Sequence, residues 1–232
     1  MKRIIYNLTL CLLLLGFVSC EDETTQDNSK ITYYAEITLE GESSMFWDLG
    51  KTWEEPGYSA VMAGKDVTDK VEISTDLDVT KGGVYTVNYV VTNEDGLSRS
   101  ETRTVYVADP TPSSIQSGIW TVSADSYREA SATTTYGDEY DVLILQVSPG
   151  KFYMSDMLGG WYEQRAGYGG SYAMVGHLLL DEMDMISGAG DALVAGWGDS
   201  YTSLMGFVTQ DGIELTVDYA GMIFNMTLTY NN

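Results

Sequence analysis

Cysteine and histidine are almost absent from this chain of 232 residues. The two cysteines, Cys11 and Cys20, lie near the N-terminus, and His177 is the only histidine. Beyond residue 20 the chain can therefore form neither a disulfide nor a cysteine-based metal site. The stability of its fold must come from packed hydrophobic cores.

Basic residues are also scarce, with 12 lysines and arginines against 34 aspartates and glutamates. All of the acidic residues follow Cys20, whereas Lys2 and Arg3 precede it. Cleavage before Cys20 would leave ten basic residues and a net charge of 10 − 34 = −24. Such a chain repels nucleic acid and anionic lipid head groups, so we expect neither as a partner.

The sequence lacks the motifs of common catalytic sites. His177 lies in an apolar run at 175–179, which is typical of a core or strand-edge histidine. No Gly-x-Ser-x-Gly element is present, and the glycine-rich stretch at 159–170 lacks the Gly-Lys-Ser/Thr ending of a phosphate-binding loop. The paired carboxylates of a glycoside hydrolase stay open as an alternative, because their separation depends on the folded chain. We expect no enzymatic activity and no cofactor.

Proline is rare as well, with four residues, and the chain has no long apolar pattern of helical period. Glycine and tyrosine are abundant instead, at 24 and 17 residues, which is typical of strands joined by tight turns. Pro110 and Pro112 lie in a short segment, 109–117, that we interpret as a linker. The sequence therefore predicts an all-β protein with domains at 30–108 and 118–232.

The N-terminus has the pattern of an export signal. A short positive start precedes an apolar run at 4–18, which is shorter than the ~20 residues of a membrane-spanning helix. Residues 17–20, Phe-Val-Ser-Cys, resemble a bacterial lipobox, although leucine is commoner than phenylalanine at the first position. The resemblance implies a signal peptide at 1–19 and a membrane-attaching lipid on Cys20. An ordinary cleaved signal and an uncleaved anchor are the alternatives.

The polar, acidic segment at 20–29 contains no aromatic residue and cannot bury enough surface to order itself. We interpret it as a solvated tether. Its acidic residues directly after Cys20 resemble the surface-export signal of Bacteroidota lipoproteins. That resemblance implies an outer-membrane lipoprotein exposed on the cell surface, with a periplasm-facing lipoprotein as the alternative.

The first domain reads as a β-sandwich. Alternating apolar residues at 83–92 and 98–107 flank an Asp-Gly turn, as in a hairpin of long strands. Several segments resemble the immunoglobulin-like surface domain often called DUF5011. The resemblance implies an immunoglobulin-like β-sandwich that acts as a spacer or in adhesion. The segments that carry it are residues 37–41, 53–60, 83–89 and 103–107.

The second domain contains about eight to ten strand-like segments in succession, which predicts an antiparallel β-barrel or β-sandwich. Residues 118–122, 155–162 and 168–169 resemble the C-terminal domain that follows DUF5011 in Bacteroidota lipoproteins, sometimes called DUF5012 or BT_2262-like. No activity comes with this family. The resemblance implies only a setting near glycan-uptake systems.

Aromatic residues in and near a glycine-rich stretch form the candidate ligand-binding site. Their rings have apolar faces and polar rims, which suits stacking on sugars, and the glycines allow close approach of a ligand. The alternative is that these rings fill the domain core. The candidates are Trp161, Tyr162, Tyr168, Tyr172 and Trp197.

Two acidic stretches, 138–141 and 181–184, bring carboxylates together as Ca²⁺ ligands do. Neither has the spacing of an EF-hand, and in so acidic a chain a solvated surface is the simpler interpretation. We therefore expect no metal site.

Three functions fit these observations. The first is a non-catalytic surface lipoprotein that binds polysaccharide through its second domain. The second is an adhesion or envelope-assembly subunit that binds another protein. The third is a barrel that captures a small ligand in an enclosed apolar cavity, which the methionine-rich second domain would line.

Replacement of Cys20 by alanine tests the anchor. We expect Cys20→Ala to move the protein from the membrane fraction to the soluble fraction, because the lipid-bearing sulfur is lost. Mass spectrometry of the wild-type N-terminus should find the lipid on Cys20, and Cys11→Ala is the matched control. An unmodified Cys20 thiol would contradict the prediction.

Overall fold

Eighteen β-strands and three short helical turns build the part of the chain that the structure describes, residues 31–231 of a computed structural model. The predicted signal peptide, Cys20 and the acidic tether lie outside these residues. The strands belong to one unit of contacts, Tyr34–Asn232. Within the described residues, no helix has the length and apolar character needed to cross a membrane. The prediction of an all-β protein is confirmed.

The first domain is a sandwich of two sheets. One sheet has the order β1-β3-β4, and the other has the order β2-β7-β6-β5 with β2 parallel to β7. The domain's seven strands are β1 (Ala35–Leu39), β2 (Ser44–Asp48), β3 (Tyr58–Met62), β4 (Lys65–Asp66), β5 (Glu72–Thr75), β6 (Gly83–Thr92) and β7 (Ser98–Ala108).

Buried and exposed residues alternate along the strands, and the buried ones form the core of this sandwich. Val87, Tyr89 and Val91 point inward from β6, and Val105 and Val107 point inward from β7. The facing sheet contributes further apolar side chains, so each sheet covers the apolar side of the other. The facing residues are Ala35, Ile37 and Ala60.

Arg103 lies on the inward face of β7 and is fully buried. Its Nη2 lies 3.4 Å from a carboxylate oxygen of Glu55, and its Nε donates to the Tyr89 hydroxyl at 3.3 Å. The Tyr89 hydroxyl in turn donates to Glu55 at 2.7 Å, and burial raises the pKa of Tyr89 to about 12. The guanidinium also donates to the carbonyls of Glu40, Glu42 and Gly57.

The second domain is a closed barrel. Eight strands follow one another around the ring as β8-β11-β12-β13-β14-β16-β17-β18, and β18 pairs with β8 to close it. Of the two predicted architectures, the barrel is confirmed. The strands of this domain are β8 (Gly118–Val122), β9 (Tyr127–Glu129), β10 (Thr133–Thr135), β11 (Tyr140–Ser148), β12 (Lys151–Met154), β13 (Met174–Leu180), β14 (Met185–Gly188), β15 (Leu193–Val194), β16 (Ser203–Val208), β17 (Ile213–Tyr219) and β18 (Met222–Tyr230).

Three short strands lie outside the ring. β9 pairs with the first residues of β18 and carries β10 on its outer edge, whereas β15 pairs with the start of β13. The segment 192–197 is apolar in sequence but contains only the two residues of β15, because the chain turns back at Trp197. β9, β10 and β14 are too short for a clear sequence pattern.

Apolar side chains fill the barrel interior. Ile144, Phe152, Met174, Val217 and Phe224 come from five different strands of the ring, and each is at most 1% exposed. The described residues thus occupy the space in which an enclosed ligand would lie. This packing does not support the third predicted function, in which the barrel captures a small ligand in an enclosed cavity.

The linker is bonded to the barrel. The Asp109 amide donates to the Gln146 carbonyl at 2.7 Å, and the Gln146 side-chain amide donates to the carbonyls of Asp109 and Thr111 at 3.2 and 2.8 Å. Near this point the two domains touch, since a Cβ on Gly82 would lie 2.4 Å from the Cα of Val147. Glycine is therefore required at position 82.

Replacement of Arg103 tests the core of the sandwich. Arg103→Met should lower the free energy of unfolding by roughly 3–5 kcal/mol. The substitution leaves the Glu55 carboxylate without its ion-pair partner and three backbone carbonyls without the hydrogen-bond donor that Arg103 provides. The exposed Arg99→Met is the matched control and should change stability by less than ~0.5 kcal/mol. Urea unfolding of the purified proteins measures both. Equal stabilities of the two variants would contradict the assigned role of Arg103.

Candidate ligand-binding surface

A buried carboxylate organises the connection from β12 to β13. The Asp156 side chain is fully buried. One of its oxygens accepts the backbone N–H groups of Leu158 and Met174 at 2.9 and 3.0 Å, and the other accepts that of Gly160 at 2.9 Å. Asp156 thereby ties the start of this connection to its end at β13.

Two glycines direct the chain after Asp156. Gly159 and Gly160 have positive φ values of 59° and 80°, which L side chains rarely adopt. A Cβ on Gly159 would also lie 2.7 Å from the sulfur of Met226. A π-helical turn, Trp161–Arg165, follows directly and directs consecutive side chains to opposite environments.

Trp161 is buried, so the prediction that it contacts a ligand is wrong. It is 3% exposed, with its ring centroid 4.9 Å from that of Tyr136 and 5.7 Å from that of Phe224. The guanidinium carbons of Arg165 and Arg128 lie 4.2 and 4.7 Å from the ring centroid. The π-helical turn drives this side chain into the core at one end of the barrel, so no ring face is left for a sugar.

The other four candidates form one cluster, which we call the aromatic surface: Tyr162, Tyr168, Tyr172 and Trp197. The Trp197 ring lies 4.8 Å from that of Tyr162, 4.9 Å from that of Tyr172 and 6.3 Å from that of Tyr168. Tyr168 and Trp197 are 56% and 44% exposed, whereas Tyr162 and Tyr172 are half-buried. The two exposed rings, Tyr168 and Trp197, thus pack against the two half-buried rings, Tyr162 and Tyr172.

Two connections at the same end of the barrel build the aromatic surface. The three tyrosines lie between β12 and β13, and Trp197 lies between β14 and β16. The Gly196 amide donates to the Ser171 carbonyl at 2.7 Å, which joins the two connections. A Cβ on Gly196 would lie 2.7 Å from the Tyr172 ring, so this contact requires glycine.

Three supporting residues were not predicted. The Tyr219 ring is buried behind Trp197, with 6.4 Å between centroids, and its hydroxyl donates to Asp199 at 2.7 Å. Burial raises the pKa of Tyr219. Burial also raises the pKa of Tyr162, and the neighbouring Arg128 guanidinium offsets part of that effect. Asp199 follows Trp197 closely enough to be noticed, but Tyr219 and Arg128 arrive from other strands and give no local signal.

The remaining candidate residues lie elsewhere. His177 is bonded through its ring to Asp191 at 2.8 Å on the barrel wall. Asp181, in one of the acidic stretches, accepts the amides of Met183 and Met185 within its own turn. Across residues 31–231, no group of three or more histidine, cysteine or acidic residues could hold a metal ion. The aromatic surface offers ring stacking and hydroxyl hydrogen bonds.

Family models match both domains. A model of the immunoglobulin-like domain of bacterial surface proteins matches residues 37–107, and a model of a C-terminal domain matches residues 109–230. The second match alone spans more than half of the chain. A search of curated proteins finds no match.

Solved structures include a close relative. The crystal structure of the lipoprotein BT2262 from Bacteroides thetaiotaomicron has a TM-score of 0.72 and 41% identity, and the match covers 85% of this chain and 100% of that chain. A structure of CBM51-2 in complex with GlcNAc and of INT domains from Clostridium perfringens ZmpB matches with a TM-score of 0.28 and 21% identity, over 48% of this chain and 29% of that chain. A score this low supports no conclusion about fold or function.

The pH dependence of stability tests the role of Asp156. Burial raises the pKa of Asp156 from 3.8 to about 6, against the effect of its three N–H donors. The folded protein therefore holds this proton more tightly than the unfolded chain, and protonation favours folding. The contribution of Asp156 to stability should fall as the pH rises from about 4 to about 6, by roughly 3 kcal/mol, and stay constant above.

Comparison with Asp156→Asn isolates this effect, because asparagine does not titrate. Between pH 4 and pH 7 the wild type should lose stability relative to the variant, as measured by urea unfolding at each pH. The exposed Asp138→Asn is the matched surface control. A difference between wild type and Asp156→Asn that is independent of pH would contradict the assignment.

Proposed function

The chain belongs to the family of the lipoprotein BT2262 from Bacteroides thetaiotaomicron, and on this premise we propose that it is a non-catalytic cell-surface lipoprotein that binds glycan. In this proposal the lipid on Cys20 anchors the chain in the outer membrane. The immunoglobulin-like domain acts as a spacer, and the barrel presents the binding site outside the cell. The match of the first domain to bacterial surface proteins supports this arrangement.

The observation that carries the proposal is the aromatic surface. Tyr168 and Trp197 each expose about half of a large ring, and their planes meet at 87°. Burial of such rings against a ligand removes apolar area from water, which favours binding. A pyranose ring that stacks on one of these faces would lie beside the other ring, whose centroid is 6.3 Å from that of the first.

Polar groups around the rings suit the hydroxyls of a sugar. The Tyr168 and Tyr172 hydroxyls can donate or accept hydrogen bonds, and the exposed carboxylate of Asp199 can accept them. These groups can bind and orient a sugar through hydrogen bonds alone, without a chemical reaction of the sugar. The function proposed is therefore recognition.

Removal of the two exposed rings tests the proposal. The double variant Tyr168→Ala/Trp197→Ala should weaken glycan binding more than tenfold. Truncation of central aromatic contacts commonly costs about 2 kcal/mol or more of binding free energy. A glycan array identifies the bound polysaccharide, and calorimetry then measures the affinity. Thermal unfolding should change little, since both rings are largely outside the core.

Phe207→Ala is the matched control. Phe207 is 47% exposed on the barrel wall at β16, close to the exposure of Trp197, but lies outside the aromatic surface. Equal losses of affinity in the control and the double variant would argue against the assigned site. Binding to no glycan, together with cross-linking to an envelope protein on intact cells, would favour the alternative role in adhesion or assembly.

A further inference from the structure

Arg128 lies beside the aromatic surface. It is placed by β9, which pairs with β18 so that Arg128 lies opposite Phe224. Its guanidinium stands 4.7 Å from the centroid of the Trp161 ring and next to the hydroxyl of Tyr162. Arg128 therefore occupies the boundary between the buried end of the barrel and the exposed rings.

The Arg128 guanidinium is incompletely paired. Its Nε atom is buried and has no hydrogen-bond partner, and no carboxylate among residues 31–231 forms an ion pair with it. Buried Arg103, in contrast, is bonded to Glu55, Tyr89 and backbone carbonyls. The lack of an ion pair at Arg128 within residues 31–231 stands out in a chain with 34 acidic residues. A partly desolvated cation gains most when a ligand brings the missing charge.

A second guanidinium adds to the positive charge. Arg165 lies 4.2 Å from the centroid of the Trp161 ring, and its Nε donates to the carbonyl of Tyr136 at 2.9 Å. It too forms no ion pair with a carboxylate in the described part of the chain. Asp199 accepts from the Tyr219 hydroxyl, Glu163 lies in the π-helical turn, and Asp156 accepts three backbone amides. None of these three carboxylates forms an ion pair with Arg128.

We propose that the aromatic surface recognises a glycan that contains uronic acid, whose carboxylate binds Arg128 while its ring stacks on Tyr168 or Trp197. The inference rests on the proposed function and names the class of sugar. The planar guanidinium matches a carboxylate with two parallel hydrogen bonds, which an ammonium group does not. The net negative charge of the chain acts at longer range and is screened beyond ~8 Å at physiological ionic strength. The local pair therefore decides the preference.

Matched acidic and neutral sugars test this inference. The purified protein is applied to an array that pairs each uronic-acid oligosaccharide with its methyl ester, which keeps the ring and removes the charge. We expect the acid to bind at least tenfold more tightly than the ester, with a preference that falls as salt is added. Arg128→Gln should abolish the preference, and Arg128→Lys should restore only part of it.

Arg99→Gln is the control of equal charge. The Arg99 guanidinium lies 4.4 Å from the centroid of the Tyr34 ring in the first domain, so it has a similar aromatic contact far from the barrel strands in sequence. This variant should keep the full preference for the acid. An equal loss in Arg99→Gln and Arg128→Gln would mean that overall charge alone acts, and it would overturn the role of Arg128.

The outcomes separate this inference from the proposed function. Binding of the esters or of neutral glycans alone would overturn the uronic-acid preference and leave glycan binding intact. Binding of no array member would overturn both. Thermal unfolding of each arginine variant identifies a change in fold, and in that case Arg128→Lys, which keeps the charge and most of the side-chain volume, provides the decisive comparison.

Discussion

The pairing of β18 with β8 is the contact on which the second domain depends. It joins Leu228 to Val122 and Tyr230 to Trp120, and it turns an open meander into a ring without free edges. The first residues of β18 also hold β9 and thus place Arg128. One C-terminal strand therefore closes the barrel and determines which side chains surround the aromatic surface.

Each domain then uses one buried charge to join distant backbone segments. Arg103 donates to carbonyls from the connections around β1 to β3, and Asp156 accepts amides from both ends of the connection between β12 and β13. Removal of either charge would leave several main-chain groups unpaired in a low-dielectric interior. The function of these two charges is to determine the conformation of irregular chain that apolar contacts alone would leave undefined.

The sequence was informative where a residue's environment follows from its neighbours. Alternation in β6 and β7 identified the sandwich, and the family resemblance identified both domains. The choice between barrel and sandwich needed the β18–β8 pairing, which joins segments more than 100 residues apart. Trp161 and Tyr162 are adjacent and chemically similar, yet only the π-helical turn after Gly160 determines which is buried. Arg128 and Tyr219 come from other strands and pack behind or beside the aromatic surface, so no local pattern marks them.

The filled interior of the barrel has a further consequence. In the proposed function, the aromatic surface lies on the outside of a filled barrel, so a long polymer can lie across it at any internal position. Repeating units along the polymer would then be equivalent, and several copies of the protein could hold the same molecule at once. Weak contacts at each copy would add up to strong retention through multivalency.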